Sequence, residues 1–165
     1  MKKALFLDRD GVINHDKDDG SFTYKVEDFV ILEDVVEVLK LAKQKDFLLI
    51  VITNQSGIGR GIYSHQHVEE VHSKLEKILA ANQIVLDEIY YCPHHPSSSN
   101  CICRKPDSVL VEKAIARFNI NPKQSIFVGD KERDITCALK AGIENVYQIE
   151  TNSSLKQIIH AIENV

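Results

Sequence analysis

Apolar residues in this chain fall into short continuous runs, separated by longer stretches with a helical period. Residues 4–7, 48–53, 89–92, 126–129 and 146–149 form such runs. A short apolar run without alternation marks a strand buried on both faces. Between the runs the apolar spacing changes to three and four. Val35, Val38, Leu39 and Ala42 share one face. Val68, Val71, Leu75, Ile78 and Leu79 share another, behind Ser64 as its cap. Leu110, Ala114, Ile115 and Phe118 make a third face, and Leu155, Ile158, Ile159 and Ile162 a fourth. Strands alternating with helices predict an α/β fold, a three-layer doubly wound parallel sheet of Rossmann-like kind with right-handed crossovers.

The 165 residues are enough for one domain with one core. No repeat, low-complexity tract or linker divides them, so 1–165 is read as a single domain. Two stretches fit neither period. One is the polar segment 15–27; the other, 93–106, holds three of the four prolines. One helix and the 15–27 segment fill the chain between Asp8 and Thr53, which leaves no room for a large cap domain.

Composition changes this picture only by exclusion. Hydrophobic residues make up 44% and charged residues 27%, an ordinary balance for a soluble domain. The net charge of −4 argues against binding nucleic acid through a basic face. An anionic ligand would have to be met by a local cluster of cations. No apolar run approaches the roughly 20 residues that span a bilayer. The apolar stretch after Lys2 and Lys3 stops at Asp8, short of the ~7–15 residues of a secretory core. A cytoplasmic monomer is expected, with no membrane or nucleic-acid partner.

The chemistry gathers where strands end, which is where open α/β sheets bind ligands. The first strand runs into Asp8-Arg9-Asp10-Gly11. One carboxylate there can attack phosphorus, and the other can move protons. By themselves the two aspartates could equally be an exposed pair in a turn. The second strand runs into Thr53-Asn54-Gln55-Ser56-Gly57, whose hydroxyl, amide and glycine turn suit phosphate oxygens. The fourth ends in Gly129-Asp130-Lys131 and, further on, Asp134. Asp130 is placed like a metal ligand, whereas Asp134 fits a helix cap as well as a catalytic role. Arg104 and Lys105 supply cations after the third strand.

Three of the four cysteines crowd into 92–103. Cys92, His94, Cys101 and Cys103 make a complete tetrahedral zinc set with no open position, which implies a structural Zn²⁺. His95 is an alternative to His94, and free thiols or a redox pair are the plainer reading. Cys137 stands apart as a small core residue. Zinc would fix the loop that leads into Arg104 and Lys105.

Taken in chain order, DxDG, Thr53, Lys105 and GDxxxD resemble the four motifs of the haloacid dehalogenase superfamily. The resemblance implies Asp8 as nucleophile and Asp10 as general acid and base. It sets Thr53, Asn54 and Lys105 on the transferring phosphoryl group, with Mg²⁺ on Asp8, the Asp10 main-chain carbonyl and Asp130. Cys-Pro-His-His-Pro followed by Cys-Ile-Cys-Arg-Lys-Pro narrows the match. So do Thr53-Asn54-Gln55-Ser56-Gly57-Ile58 and Gly129-Asp130-Lys131. Together they resemble the D-glycero-D-manno-heptose 1,7-bisphosphate phosphatases. That family's chemistry implies hydrolysis of the C7 phosphate of a small phosphorylated sugar, with Gln55, Ser56, Arg104 and Lys131 toward substrate. Two regions depart from its pattern: the stretch between His94 and Cys101 is shorter, and 15–27 is longer. Histidinol-phosphate phosphatases share most of the plan, but Ser56 and His95 favour the heptose branch. The reading from another class is a silent zinc-containing binding module. The joint presence of Asp8, Asp10, Lys105 and Asp130 argues against it.

Overall fold

The structure, a computed structural model, describes residues 1–17 and 19–165; Asp18, within the polar 15–27 segment, lies outside the described residues. Five strands form the sheet: β1 (Lys3–Leu7), β2 (Phe47–Asn54), β3 (Glu88–Cys92), β4 (Ile126–Gly129) and β5 (Asn145–Gln148). All neighbours pair in parallel, in the order β3-β2-β1-β4-β5. β1 and β4 are buried almost throughout because they lie inside the sheet and are covered on both faces. β5 closes one edge and is only half-buried, and its bounds sit one residue before the apolar run 146–149.

Five α-helices cover the two faces. α1 (Val35–Gln44), α2 (His65–Ala81) and α5 (Ile159–Asn164) pack on one side, against Leu5, Leu7, Leu49, Val51 and Val128. α3 (Val109–Phe118) and α4 (Glu132–Lys140) pack on the other, against Ala4, Phe6, Ile50, Ile52 and Phe127. This is the three-layer arrangement expected from the apolar pattern.

The helix faces agree with the sequence spacing, with two differences. The buried stripe of α3 is Val111 and Ala114, while Leu110, Ile115 and Phe118 stay half-buried. The C-terminal stretch begins as a 3-10 turn, Leu155–Ile158, before becoming α5. Asp34, just before α1, accepts from the Leu155 and Lys156 backbone N–H groups, so a residue far away in the chain tightens this helix entry. Ser64 caps α2, and its backbone N–H donates to His67 Nδ1 at 3.1 Å. Among the described residues no helix is long and apolar enough to cross a membrane.

The chain leaves β1 toward β2 and β3, then returns to lay β4 on the other side of β1. The strand order therefore reverses between β1 and β4, and their carboxyl ends carry Asp8 and Asp130. Crevices at such reversals are the usual ligand sites of open α/β sheets.

Candidate active site

A cleft of about 200 Å³ opens at this reversal. Asp8, Asp10, Thr53, Asn54, Gln55, Ser56, Arg104, Asp130 and Lys131 all line it. Lys105 lies beneath, 1% exposed. Its ammonium makes three contacts: Asp8 Oδ1 at 2.9 Å, Asp134 Oδ1 at 2.8 Å and the Ile52 carbonyl at 2.7 Å. All three N–H donors are thus used inside the protein. Burial alone would lower the Lys105 pKa, but Asp8 and Asp134 outweigh it and hold the ammonium above its usual range. Of the two uses left open for Asp134, the structure shows the helix cap, together with the ion pair to Lys105. Its second oxygen accepts from the Lys131 backbone N–H at 3.0 Å and caps α4.

Asp8 Oδ1 accepts from Lys105 and from the Arg9 backbone N–H at 2.7 Å. Burial pushes the Asp8 carboxyl up from 3.8 to about 7, against the pull of Lys105, with Asp134 adding like-charge repulsion. Asp130 is also buried. Its Oδ2 accepts from Thr151 Oγ1 at 2.6 Å and pairs with Lys131 Nζ at 2.8 Å, while its Oδ1 is buried with no hydrogen-bond partner. A buried, unpartnered carboxylate oxygen is costly unless a cation takes it. Asp8, Asp130 and Asp134 bring carboxylate oxygens within 4.8 Å of one another. Lys105 already occupies Asp134 Oδ1, which leaves Asp8 and Asp130 as an oxygen-only pair that fits Mg²⁺. Gly11 makes this packing feasible. Its φ is +84°, and a Cβ there would lie 2.7 Å from Asp130 Oδ2.

The Asp10 carboxylate turns away from that pair. Arg9 grips it at 2.9 and 3.0 Å, Asn14 donates at 3.0 Å, and Gln55 Nε2 donates to Oδ2 at 3.0 Å. Arg9, a charged residue in a surface-like motif, is 1% exposed. Its remaining donors reach the Thr23 carbonyl at 2.9 Å and His72 Nε2 at 3.3 Å. Burial, helped by Arg9, lowers the His72 pKa to about 3, so the imidazole is neutral and can accept. Gln55 also donates to Thr53 Oγ1 at 3.0 Å.

Asn54 is expected on the phosphoryl group, and it lines the cleft. Its Nδ2 donates to the Lys105 carbonyl and its Oδ1 accepts from the Lys105 N–H, both at 3.1 Å. One N–H and the carbonyl of the amide therefore hold the Lys105 backbone, which leaves the second N–H for a ligand. Arg9, Thr151, Asp16 and Arg133 were not singled out in the sequence, yet Arg9 braces Asp10, Thr151 braces Asp130, and the other two line the cleft. Thr151 follows the fifth strand, so its position at a strand end was the one signal that could have found it. Arg9 also follows a strand end, but a charge there usually faces water, so nothing in the sequence marked it as buried.

The loop between β3 and α3 gathers Cys92, His94, Cys101 and Cys103, whose ligand atoms lie within 4.8 Å of one another. Cys92 Sγ is 3.2 Å from Cys103 Sγ and 3.6 Å from Cys101 Sγ, and His94 Nδ1 is 3.3 Å from Cys103 Sγ. The three cysteines are free thiols. Burial pushes the Cys92 thiol up, so it becomes a thiolate only with a cation beside it. His95 is not in the group; its Nδ1 bonds Ser97 Oγ at 2.6 Å. Cys137 is buried and donates to the Asp107 carbonyl, as a core residue would. Arg104 is tied back to the loop through the His94 carbonyl at 3.4 Å.

The family model described as polynucleotide kinase 3 phosphatase matches residues 3–157. A D-glycero-beta-D-manno-heptose-1,7-bisphosphate 7-phosphatase from Haemophilus ducreyi is 39% identical over 160 residues, covering 93% of this chain and 86% of its own. One of the same name from Helicobacter pylori is 42% identical and covers 87% of this chain and 81% of its own. Among solved structures, the D,D-heptose 1,7-bisphosphate phosphatase of B. bronchiseptica, complexed with magnesium and phosphate, superposes with a TM-score of 0.83. It is 27% identical, over 96% of this chain and 99% of its own.

Proposed function

This chain belongs to the heptose-1,7-bisphosphate 7-phosphatase family of the haloacid dehalogenase superfamily, and on that premise we propose that it hydrolyses the C7 phosphate of a D-glycero-D-manno-heptose 1,7-bisphosphate. The observation that carries the chemistry is Asp8, buried beside Lys105 at the strand reversal, with one carboxylate oxygen turned to the ammonium. The other oxygen of Asp8 attacks phosphorus as the bond from phosphorus to the C7 oxygen breaks. Asp10 gives its proton to that departing oxygen. It then takes a proton from water as the water oxygen attacks the aspartyl-phosphate, releasing inorganic phosphate and Asp8. Thr53 meets a phosphoryl oxygen with its hydroxyl, Lys105 exchanges one of its three internal contacts for another, and Asn54 holds the backbone that carries Lys105. Asp8, Asp130 and the Asp10 carbonyl would hold Mg²⁺, which would supply neutralising charge to the phosphoryl group. Cys92, His94, Cys101 and Cys103 would hold Zn²⁺, which would fix the loop leading to Arg104.

The description of the matching family model names a polynucleotide phosphatase. A small sugar is the better reading for this chain. Its net charge is −4, and Arg104, Lys131 and Arg133 give the cleft itself a local set of cations. Gln55 and Ser56 complete that rim. Arg104 precedes Lys105, so its guanidinium suits a second phosphate held bidentately, remote from the reacting phosphorus. Histidinol phosphate has no such group.

A phosphate-release panel containing both anomers of the heptose bisphosphate, sugar monophosphates and histidinol phosphate tests the assignment. The bisphosphate is expected to be the fastest by kcat/KM. Arg104→Ala should erode that lead by about 10- to 150-fold, the worth of one charge-assisted contact of ~1.5–3 kcal/mol, while slow monophosphate turnover survives. Equal slowing of every substrate would overturn the role given to Arg104. Faster hydrolysis of histidinol phosphate would overturn the sugar assignment and leave the phosphatase mechanism standing.

The metals should separate by chelation. A weak chelator is expected to remove activity that added Mg²⁺ restores, while about one zinc per chain stays bound, as one four-ligand site requires. Cys101→Ala should lose the zinc, lower the melting temperature and reduce activity indirectly. Zinc-free protein with the parent's melting temperature and turnover would rule out the structural zinc.

A further inference from the structure

Tyr63 lies outside the cleft lining, yet it is built into the structure from four directions. The side chain is buried, and its ring lies so close to Gly57 that a Cβ there would meet it at 2.0 Å. The ring stacks on Tyr24 with centroids 5.0 Å apart and meets the edge of Phe22 at 5.5 Å. Phe22 lines the cleft with Gly20, Ser21 and Thr23, and Tyr24 follows them directly. Burial pushes the Tyr63 phenol up to about 12, so it stays a donor. Its hydroxyl donates to Gln55 Oε1 at 2.9 Å.

Gln55 passes this restraint to the chemistry. With Oε1 held by Tyr63, its Nε2 faces Asp10 Oδ2 and Thr53 Oγ1, each at 3.0 Å. Without the phenol the amide could turn about its last torsion, which is broad and roughly two-fold. Its carbonyl oxygen would then meet an oxygen of Asp10 in place of an N–H.

We propose that Tyr63 is a positioning residue for proton transfer: through Gln55 it fixes the amide that aims Asp10, and its ring contacts tie that aim to the stretch around Phe22 that lines the cleft. The inference rests on Asp10 being the general acid and base of the proposed function. A residue that acts on proton delivery has a signature that plain support of the fold does not. kcat/KM covers the steps up to departure of the alcohol. A sugar alkoxide leaves poorly and needs the proton of Asp10, whereas p-nitrophenolate leaves without one.

The test compares kcat/KM on the heptose bisphosphate and on p-nitrophenyl phosphate, with Mg²⁺, for the parent, Tyr63→Phe and Asp10→Asn. Tyr63→Phe keeps the ring and removes only the hydroxyl. It is expected to lower the sugar value by about 3- to 10-fold, the worth of one neutral hydrogen bond, and to leave the p-nitrophenyl value within about twofold. Asp10→Asn should show the same asymmetry, larger. If Tyr63→Phe slows both substrates equally, or neither, while Asp10→Asn is asymmetric, the positioning role is overturned and the function of Asp10 stands. If Asp10→Asn itself slows both equally, the reading of Asp10 fails and the inference falls with it. Should Tyr63→Phe not fold, Tyr24→Leu loosens the same ring from outside the cleft lining and is judged by the same ratio.

Discussion

Asp8→Asn is expected to lose essentially all turnover, on the order of 10⁴-fold or more, while remaining folded. The amide has the size of the carboxylate and can still accept from Lys105, but it cannot form the aspartyl-phosphate. Its effect on stability should run the other way. In the parent, burial raises the Asp8 carboxyl to about 7 from 3.8. Between those two values the folded chain holds a proton that the unfolded chain has released. Metal-free stability therefore falls as pH rises through that window, and above about pH 7 the full cost of the buried charge is present. Asparagine removes that cost, and Lys105 keeps Asp134 and the Ile52 carbonyl as partners. At pH 8 without Mg²⁺, thermal unfolding of Asp8→Asn should occur no lower than in the parent. Turnover near the parent's in carefully purified variant would end the covalent mechanism. A clearly lower melting temperature would show that Asp8 supports the fold as well as the chemistry.

Much of this arrangement is written locally in the chain. The strands are legible because a sheet covered on both faces demands unbroken apolar runs, and Leu5, Phe6 and Leu7 supply one. The strand ends then point to Asp8, Thr53 and Asp130 as neighbours, since parallel strands in a doubly wound sheet all open at one end. The Cys and His spacing was legible for a similar reason, because four soft ligands within one loop can meet with no help from the rest of the fold. What could not be read depends on contacts between distant segments. The burial of Arg9 follows from Thr23 and His72 reaching it from the cleft wall and from α2. Asn54 carries no mark that its amide will hold the Lys105 backbone, 51 residues away. The link from Asp34 to Leu155 spans 121 residues, so although Ser154 caps the 3-10 turn locally, its tie to the start of α1 could not be read from the residues around it.

Lys105 is the point where stability and chemistry are least separable. Lys105→Met preserves length and apolar stem but removes the ammonium that Asp8, Asp134 and the Ile52 carbonyl all share. Two carboxylates would then face each other in a site where both are at most 7% exposed, and a buried carbonyl would lose its donor. Removing one partner of a buried ion pair typically costs ~3–5 kcal/mol, because the charge left behind is uncompensated. The urea midpoint should fall accordingly. Catalysis should fall by on the order of 10²–10³-fold even in the folded fraction, since a cation aimed at the developing phosphoryl charge is gone. The two effects can be separated by adding Asp8→Asn to Lys105→Met. That removes one of the repelling carboxylates, so the double variant should be more stable than Lys105→Met alone, with a clear interaction energy between the two sites. It should remain inactive, because nothing restores the nucleophile. An unchanged urea midpoint for Lys105→Met, or strictly additive stabilities in the pair, would mean that the ammonium is not what holds the two aspartates in place. The reading of the site as an electrostatically balanced trio would then have to be given up.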